Sequence, residues 1–571
     1  FHALFKIDGY DCRKEDFIGI YNDYMNPQAV IRGRCSNNDG YAETLAAVFC
    51  KNIKLSPGQK ITLHLIAGVS ESVKKRNKCI KAYSKPNKIQ TAFKKVNEDW
   101  ENKINNVFIQ TPDNAINLYT NFWLKNAIMQ NCRWVRGPTS NSNFGFRDVL
   151  QDAKGIVKFD AERTRKALLT ALRYQYADGT ALRQWAIKPE FHDFRRFADS
   201  PLWIAFTLCA YIRETGDTDI LNMSVPYFDK GKDTVYNHLL AGLFHVSSDL
   251  GSHNLPRVHE GDWQDGLGKL GILGRGESVW LAMAAIAANK ETISLADFIN
   301  DKKTSGKLKN HNGNLIAAVN KYGWDGKWYR RGFTDNGKPL GTSKDKEARI
   351  WLLPQAWALL SGVADSNKTR LLKQSVEKKL KTPVGYLLFD PPFKSIRHDV
   401  GYISSFHPKK WNYMHSNAFK FAAECRTGDP DSAYRTLNLM LPVNHDLNKI
   451  RSEPYAFSNY YGIHDKERMG RSMFGWFTAT NAWVFTTIIE DLIGIKPGYN
   501  DIIIKPCLPS SWDKVKVEIT IRNTRYNISV CKLNKKRTKT VKILADGKDM
   551  SSNTVPYFTD KKVHSIEVRI G

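Results

Sequence analysis

Residues 260–266 read Glu-Gly-Asp-Trp-Gln-Asp-Gly, three carboxylates and an indole in one short stretch that runs into the glycine-rich segment 266–276. Acids this crowded raise one another's pKa. A carboxyl kept protonated by like charge and partial burial can hand a proton to a departing glycosidic oxygen, which is the general-acid step of glycoside cleavage. On composition alone the stretch also fits a solvated acidic turn or a metal-binding loop. Two further segments, 145–152 and 453–461, combine aromatic rings with acidic or Arg side chains. A pyranose needs that mixture: an aromatic ring covers its C–H face, while carboxylates and Arg satisfy hydroxyls that would otherwise be buried unpaired.

Such segments need a scaffold. From 1 to 72, short apolar runs such as 45–49 and 61–66, separated by the turn Ser56-Pro57-Gly58, predict an all-β piece. Residues 73–115 are lysine-rich and strand-poor, and Phe93, Val96 and Trp100 recur at helical spacing, which predicts a connecting helical region. From 116 to 495, apolar helical stretches alternate with polar loops, most clearly at 201–212, 277–288, 350–360 and 418–425. So many buried helices in one domain predict a helical barrel. Short apolar runs and alternation return at 501–506, 515–521, 526–530 and 541–544, a terminal β-domain from about 496 onward. The fold class is mainly α, in the order β, α, β.

At 571 residues the chain is long enough for two or three domains, and its net charge of +28 would attract polyanions. Its Lys and Arg are dispersed, however. The densest runs, Lys74-Lys75-Arg76, Lys535-Lys536-Arg537 and Lys561-Lys562, flank periodic segments without a nucleic-acid-binding module, so a solvated basic face and no nucleic-acid partner are expected. A mean hydropathy of -0.44 and no apolar run of bilayer length predict a soluble protein with no membrane association. Nine cysteines, an odd number with no C-x-x-C pair and no His at metal-ligand spacing, point to reduced thiols in a cytoplasmic protein and to no metal site. Glycosylation-like triplets at Asn222, Asn367 and Asn527 are what an Asn-rich chain produces by chance. Residue 1 is Phe and no signal-peptide pattern follows it, so the N-terminus reads as cut.

Five motifs fall in a telling order: Phe146-Arg147-Asp148-Val149-Leu150-Gln151-Asp152, Gly261-Asp262-Trp263-Gln264-Asp265-Gly266, Gly276-Glu277-Ser278-Val279-Trp280-Leu281, Glu453-Pro454-Tyr455 and Thr478-Ala479-Thr480-Asn481-Ala482-Trp483. In these the chain, from about residue 10 to Trp512, closely resembles the inverting cellobiose and chitobiose phosphorylases among the glycoside hydrolases. The resemblance implies an (α/α)6 barrel at 116–495, preceded by the end of a β-sandwich at 1–72 and a helical linker at 73–115, and followed by a small jelly-roll-like β-domain at 496–571. It makes Asp265 the general acid, with Asp262 in support and Trp263 shaping the sugar site. It implies that Arg147 and Asp152 hold the donor sugar, and that Arg136, Arg147, His415, Thr478 and Ala479 form the phosphate pocket. Glu453, Lys410 and Asn459, the last standing where relatives usually carry Gln, are further substrate-binding candidates.

The chain also departs from the family pattern. Its stretch before His415 is shorter, with Lys410 and Asn412 standing in for the usual Lys and Asn and Trp411 in place of a carboxylate expected to touch sugar. Ala479 replaces a Gly, and its methyl group narrows the approach of phosphate and disfavours a positive φ.

The reaction implied is reversible inverting phosphorolysis of a β-linked, cellobiose-like disaccharide or oligosaccharide to an α-sugar 1-phosphate. Phosphate is the co-substrate, with no metal or organic cofactor. Relatives are commonly homodimers whose N-terminal sandwich helps to complete the partner's site. Two other readings compete: an inverting glycoside hydrolase with a carboxylate such as Glu453 as base, and a carbohydrate-binding homologue without activity, the latter motivated by Trp411 and Ala479.

Overall fold

The structure, a computed structural model, describes residues 1–40, 44–133, 143–406, 411–463, 469–475, 478–533 and 541–571. The chain divides into two compact units, 1–102 and 103–571.

The first unit carries two antiparallel strand pairs among its described residues. His2–Ala3 pairs with Leu65–Ile66, and Gly9–Arg13 pairs with Leu45–Cys50. The run 45–49 is therefore a strand as expected, but of 61–66 only the last two residues are. Residues 61–64 gain no ladder partner among the described residues, and Ile61 and Leu63 stay exposed. The lysine-rich stretch forms the helices Val73–Ala82 and Pro86–Ile104, the first capped by the Ser72 hydroxyl, which accepts the Lys75 N–H at 3.3 Å. The helical reading of 73–115 fails at its end. Val107–Gln110 is a strand that pairs with Lys514–Ile521, and Val107 and Ile109, two residues apart, bury themselves on one face of that sheet.

Between residues 124 and 487, among the described residues, twelve helices of eight residues or more follow one another. They are α1 (Leu124–Arg133), α2 (Phe146–Ile156), α3 (Ala161–Leu172), α4 (Leu202–Thr215), α5 (Val235–Ser248), α6 (Val279–Phe298), α7 (Lys302–Ala318), α8 (Leu352–Leu360), α9 (Ser366–Leu380), α10 (Met414–Arg426), α11 (Pro430–Met440) and α12 (Thr480–Thr487). The even-numbered helices pack in sequence, α2 on α4, α4 on α6, α6 on α8, α8 on α10 and α10 on α12, and α12 returns to α2. The odd-numbered helices lean on them from outside: α3 on α2 and α4, α5 on α4 and α6, and α1 on α2 and α12.

The sequence explains which helices go inside. In α4 every residue from Leu202 to Glu214 is buried, and in α6 Val279 to Ile286 form one continuous buried run. A helix that is apolar all round has no face to give to water and becomes the centre of the domain. α3 and α9 carry apolar residues on one side only and start at Asp160 and Asp365, whose carboxylates accept the N–H of Arg163 and Lys368.

After α12 the chain enters a six-stranded mixed sheet, ordered Lys548–Met550, Val541–Ala545, Val563–Ile570, Thr524–Lys532, Lys514–Ile521 and Val107–Gln110, and a three-stranded one made of Ile495–Pro497, Asp501–Ile504 and Thr554–Pro556. Strict alternation in Lys514–Ile521 buries Val515, Val517, Ile519 and Ile521 on one face. No helix among the described residues is long and apolar enough to cross a membrane.

Candidate active site

The N-terminal ends of α2, α4, α6 and α10 converge on the long loop 249–278. A short strand pair, Asn143–Gly145 with Gln184–Ala186, leads into α2, and the Phe146 N–H donates to the Arg183 carbonyl at 3.0 Å. This brings Arg147, in the first turn of α2, beside Arg183.

Each arginine uses one nitrogen for anchorage. Arg147 donates from Nη1 to Asp199 at 3.1 Å and to the Asp262 carbonyl at 3.0 Å, and Arg183 donates from Nη1 to Asp193 at 2.7 Å. Both turn Nη2 on Asp265: Arg147 takes Oδ1 and Arg183 takes Oδ2, the latter at 2.8 Å. The guanidinium groups of Arg147, Arg183 and Arg195 lie 5.5, 5.0 and 5.6 Å from the centre of the Phe197 ring. Cations over an aromatic face are attracted by its quadrupole, so one ring helps to gather three like charges.

The acids of 260–266 do not face one another, and here the sequence expectation is corrected. Glu260 accepts the Arg196 N–H at 2.7 Å. Asp262 and Arg331 are both fully buried, and Asp262 places its two oxygens on Arg331 at 2.6 and 2.7 Å and accepts the Ser278 hydroxyl at 2.9 Å. Asp265 begins the 3-10 turn Asp265–Leu267 with 34% of its side chain exposed. Burial opposes its charge, but Arg147 and Arg183 outweigh it and hold the carboxyl below the usual carboxylate range. Crowding along the chain raises a pKa only if the carboxylates also meet in space, and these are turned onto separate cations.

Gly261 makes the turn possible. Its φ is +153°, and a Cβ there would stand 2.9 Å from the Phe197 ring.

A cavity of about 300 Å³ opens above Asp265, lined in part by Trp263, Tyr402, Trp411, Tyr413, Asn459 and Tyr460. Its far wall is a three-stranded sheet, β1 (Trp411–Tyr413), β2 (Ser458–Gly462) and β3 (Arg471–Gly475). Tyr413 is opposite Tyr460, which is opposite Met473, so these side chains form a row on one face, with Trp411 two residues from Tyr413 on the same face. The same period sends Asn412 to the other side. It is buried, and its amide donates to Thr382 at 2.6 Å and to the Val384 carbonyl at 2.9 Å, so it does not serve as the site Asn that the sequence suggested.

Trp263 is almost fully buried and packs edge-on against Tyr413 and His415, with ring centres 5.3 and 5.0 Å apart. His415 is buried in the first turn of α10. Thus Asp265, Arg147, Trp263, Asn459 and His415 come together.

The other described candidates do not line this cavity. Asp152 is buried on α2, five positions beyond Arg147 and off its face of the helix, and does not line the cavity. Glu453 is half-buried in a loop, where the Ser452 hydroxyl approaches it at 3.5 Å, and it too is outside the cavity lining. Thr478 is buried ahead of α12, its hydroxyl 2.7 Å from that of Thr480 and its carbonyl accepting the Asn131 amide at 3.1 Å. Ala479 has φ −70°, so the methyl group meets none of the backbone penalty expected for a positive φ. Arg136 and Lys410 lie outside the described residues.

Arg183, Asp193, Asp199, Tyr402, Tyr413 and Tyr460 were not singled out by the sequence. Alternation in 411–413 and 458–462 was the available signal for the tyrosines. Arg183 carried none, since it becomes a neighbour of Asp265 only through the strand pair that precedes α2.

Comparison with known proteins places these features in a family. The description "Glycosyl hydrolase 94 superfamily, catalytic domain" matches residues 99–494, and "Glycosyl hydrolase 94, supersandwich domain" matches residues 1–86. Among curated relatives, a solabiose phosphorylase of Paenibacillus borealis is 33% identical over 99% of this chain and 74% of its own length. A 3-O-beta-D-glucopyranosyl-beta-D-glucuronide phosphorylase of the same organism is 30% identical over 96% and 72%. An N,N'-diacetylchitobiose phosphorylase of Vibrio proteolyticus is 27% identical over 92% and 70%. This chain belongs to the glycosyl hydrolase 94 superfamily.

Proposed function

We propose that the protein is a disaccharide phosphorylase that cleaves a β-linked, cellobiose-like substrate with inorganic phosphate and inversion. The observation that carries this reading is that Asp265 is the only carboxylate among the described residues lining the cavity. An inverting hydrolase needs a second carboxylate, roughly 6.5–9.5 Å from the acid, to activate water. Phosphate is already an anion and needs no protein base. Relatives named as phosphorylases of three different disaccharides support the same reaction with a variable sugar.

In this reading Asp265, once protonated, gives its proton to the bridging oxygen as the bond to the anomeric carbon breaks. A phosphate oxygen forms the new bond from the opposite face, giving an α-sugar 1-phosphate. The proton that hydrogen phosphate loses restores the one that Asp265 delivered. Arg147, Asp152, Trp263, Lys410, Glu453 and Asn459 hold sugar, and Arg136, Arg147, His415, Thr478 and Ala479 hold phosphate, through charge-assisted hydrogen bonds and the positive ends of α10 and α12. No metal or organic cofactor takes part.

Among the described residues, the closed order of six inner helices, each backed by an outer one, supports an (α/α)6 barrel at 116–495. The two C-terminal sheets support a jelly-roll-like domain at 496–571, and 1–72 is read as part of a β-sandwich joined by 73–115. A cytoplasmic homodimer completes the proposal.

The test is incubation with a panel of β-linked glucose and N-acetylglucosamine disaccharides, with and without phosphate. Sugar 1-phosphate forms only with phosphate. Release of two free sugars without phosphate favours the hydrolase, and sugar binding with neither product favours the inactive homologue.

A further inference from the structure

Asp265 belongs to a cluster of charges. Arg147, Arg183 and Arg195 supply three positive charges, and Asp193, Asp199 and Asp265 supply three negative ones. Asp193 is doubly held, by Arg183 at 2.7 Å and by Arg195 at 2.7 and 2.9 Å, and these pairs outweigh burial and bring its carboxyl down to about 2. Asp199 is fully buried, which pushes it up to about 6 although Arg147 and Trp203 hold it. Among the described residues, Tyr402, Tyr413 and Tyr460 line the same cavity, and Tyr402, raised by partial desolvation and by the Asp265 carboxylate, stays neutral. Asp148 acts on Arg147 and Glu260 on Arg195 as well, but it is the ionised Asp265 that Arg147 and Arg183 hold between them.

A general acid must nevertheless carry a proton when its substrate is bound. Protonating Asp265 in the empty site would take the carboxylate charge from between Arg147 and Arg183. An anion accepting from Arg147 would compensate for that loss, and the same anion would disfavour a carboxylate next to it. Both arginines are anchored through Nη1, Arg147 on Asp199 and the Asp262 carbonyl and Arg183 on Asp193, and they differ in where they come from: Arg183 approaches Asp265 from the loop before α4 rather than from α2.

We propose that Arg183, anchored on Asp193, is a positioning residue that fixes Oδ2 of Asp265, and that Asp265 takes up its proton when an anion draws Arg147 away from Oδ1. The inference rests on the assignment of Arg147 to the phosphate. In the step itself, the Arg147 Nη2–H leaves Oδ1 and donates to the anion, and a proton from solvent bonds to Oδ1. Arg183 remains on Oδ2, so the loaded acid keeps its orientation. When the proton passes to the glycosidic oxygen, the carboxylate that forms regains a partner already in place. Proton uptake and anion binding are then reciprocal, each strengthening the other.

Inorganic sulfate is the probe, because it keeps one charge state near neutral pH and any proton taken up belongs to the protein. Calorimetric titration of the full chain at neutral pH, in two buffers of different ionisation enthalpy, counts protons per sulfate bound. Wild type takes up a substantial fraction of one, about 0.3 or more. Asp265→Asn binds sulfate at least as tightly and takes up none. Arg183→Met, whose acid keeps no arginine once the anion takes Arg147, takes up more than wild type, and Arg183→Lys takes up about the wild-type amount; uptake below the wild-type value in Arg183→Met would contradict the hold of Arg183 on Oδ2. Uptake that persists in Asp265→Asn assigns the proton to another group, Asp199 first, and overturns the proposal. So does sulfate binding without uptake in wild type, or no sulfate binding at all. Formation of sugar 1-phosphate from a disaccharide is a separate measurement, so the phosphorylase reading can stand while this inference falls.

Discussion

Asp262 and Asp265 are three residues apart and share no cation: Asp262 gives both oxygens to the buried Arg331, whereas Asp265 divides its two between Arg147 and Arg183 at the edge of the cavity. The first pair builds the loop, and the second is the one to which the proposed mechanism gives the chemistry. Asp262→Ala leaves Arg331 buried without its carboxylate, a loss of about 3–5 kcal/mol. Urea unfolding measures it, and a change below about 1 kcal/mol would show that the pair does not support the loop.

Asp265 behaves differently with pH. Its folded carboxyl lies below the ordinary range, so its contribution to stability is fully present above the unfolded value of about 3.9 and is lost as pH falls through the lower folded value. The Tm advantage of wild type over Asp265→Asn is expected to be flat from pH 5 to 8 and to shrink below about pH 4. An advantage that grows on acidification would contradict the two-arginine clamp.

Asn412 tests the far wall. Its amide holds Thr382 and Val384 from the back of the sheet that presents Trp411 and Tyr413. Asn412→Ala should cost about 1–3 kcal/mol by leaving buried groups unpaired, while phosphate KM stays within a factor of two. Unchanged stability with a large rise in either KM would return Asn412 to the site.

How much of this was legible in the sequence depends on what each residue needed. The all-apolar stretches of α4 and α6 announced inner helices because nothing in them could face water. The motif around Asp265 pointed to a carboxylate that the structure places on the cavity wall. Its electrostatics were not legible, since they depend on Arg183 and Asp199, 82 and 66 positions away in the sequence. The strand at 107–110 was hidden because four residues are too few to show a period, and its partner, at 516–519, lies far along the chain. Asn412 was misread because residue type alone does not say which face of a three-residue strand it occupies.

Thr478 tests the phosphate pocket. Thr478→Val removes a hydroxyl donor of nearly the same volume, and a hydrogen bond to a charged group contributes about 1.5–3 kcal/mol. Phosphate KM should rise tenfold or more, with disaccharide KM unchanged. Equal rises in both, seen in steady-state kinetics with each substrate varied, would make Thr478 structural, acting through Thr480.

The most direct measurement is a phosphorus NMR time course of wild type and Asp265→Asn with inorganic phosphate and the disaccharide that wild type turns over. An α-sugar 1-phosphate signal should grow with wild type and form about 10²–10⁴-fold more slowly with a folded Asp265→Asn. A β-anomer, or a near-normal rate in the variant, would contradict Asp265 as the acid of an inverting phosphorolysis.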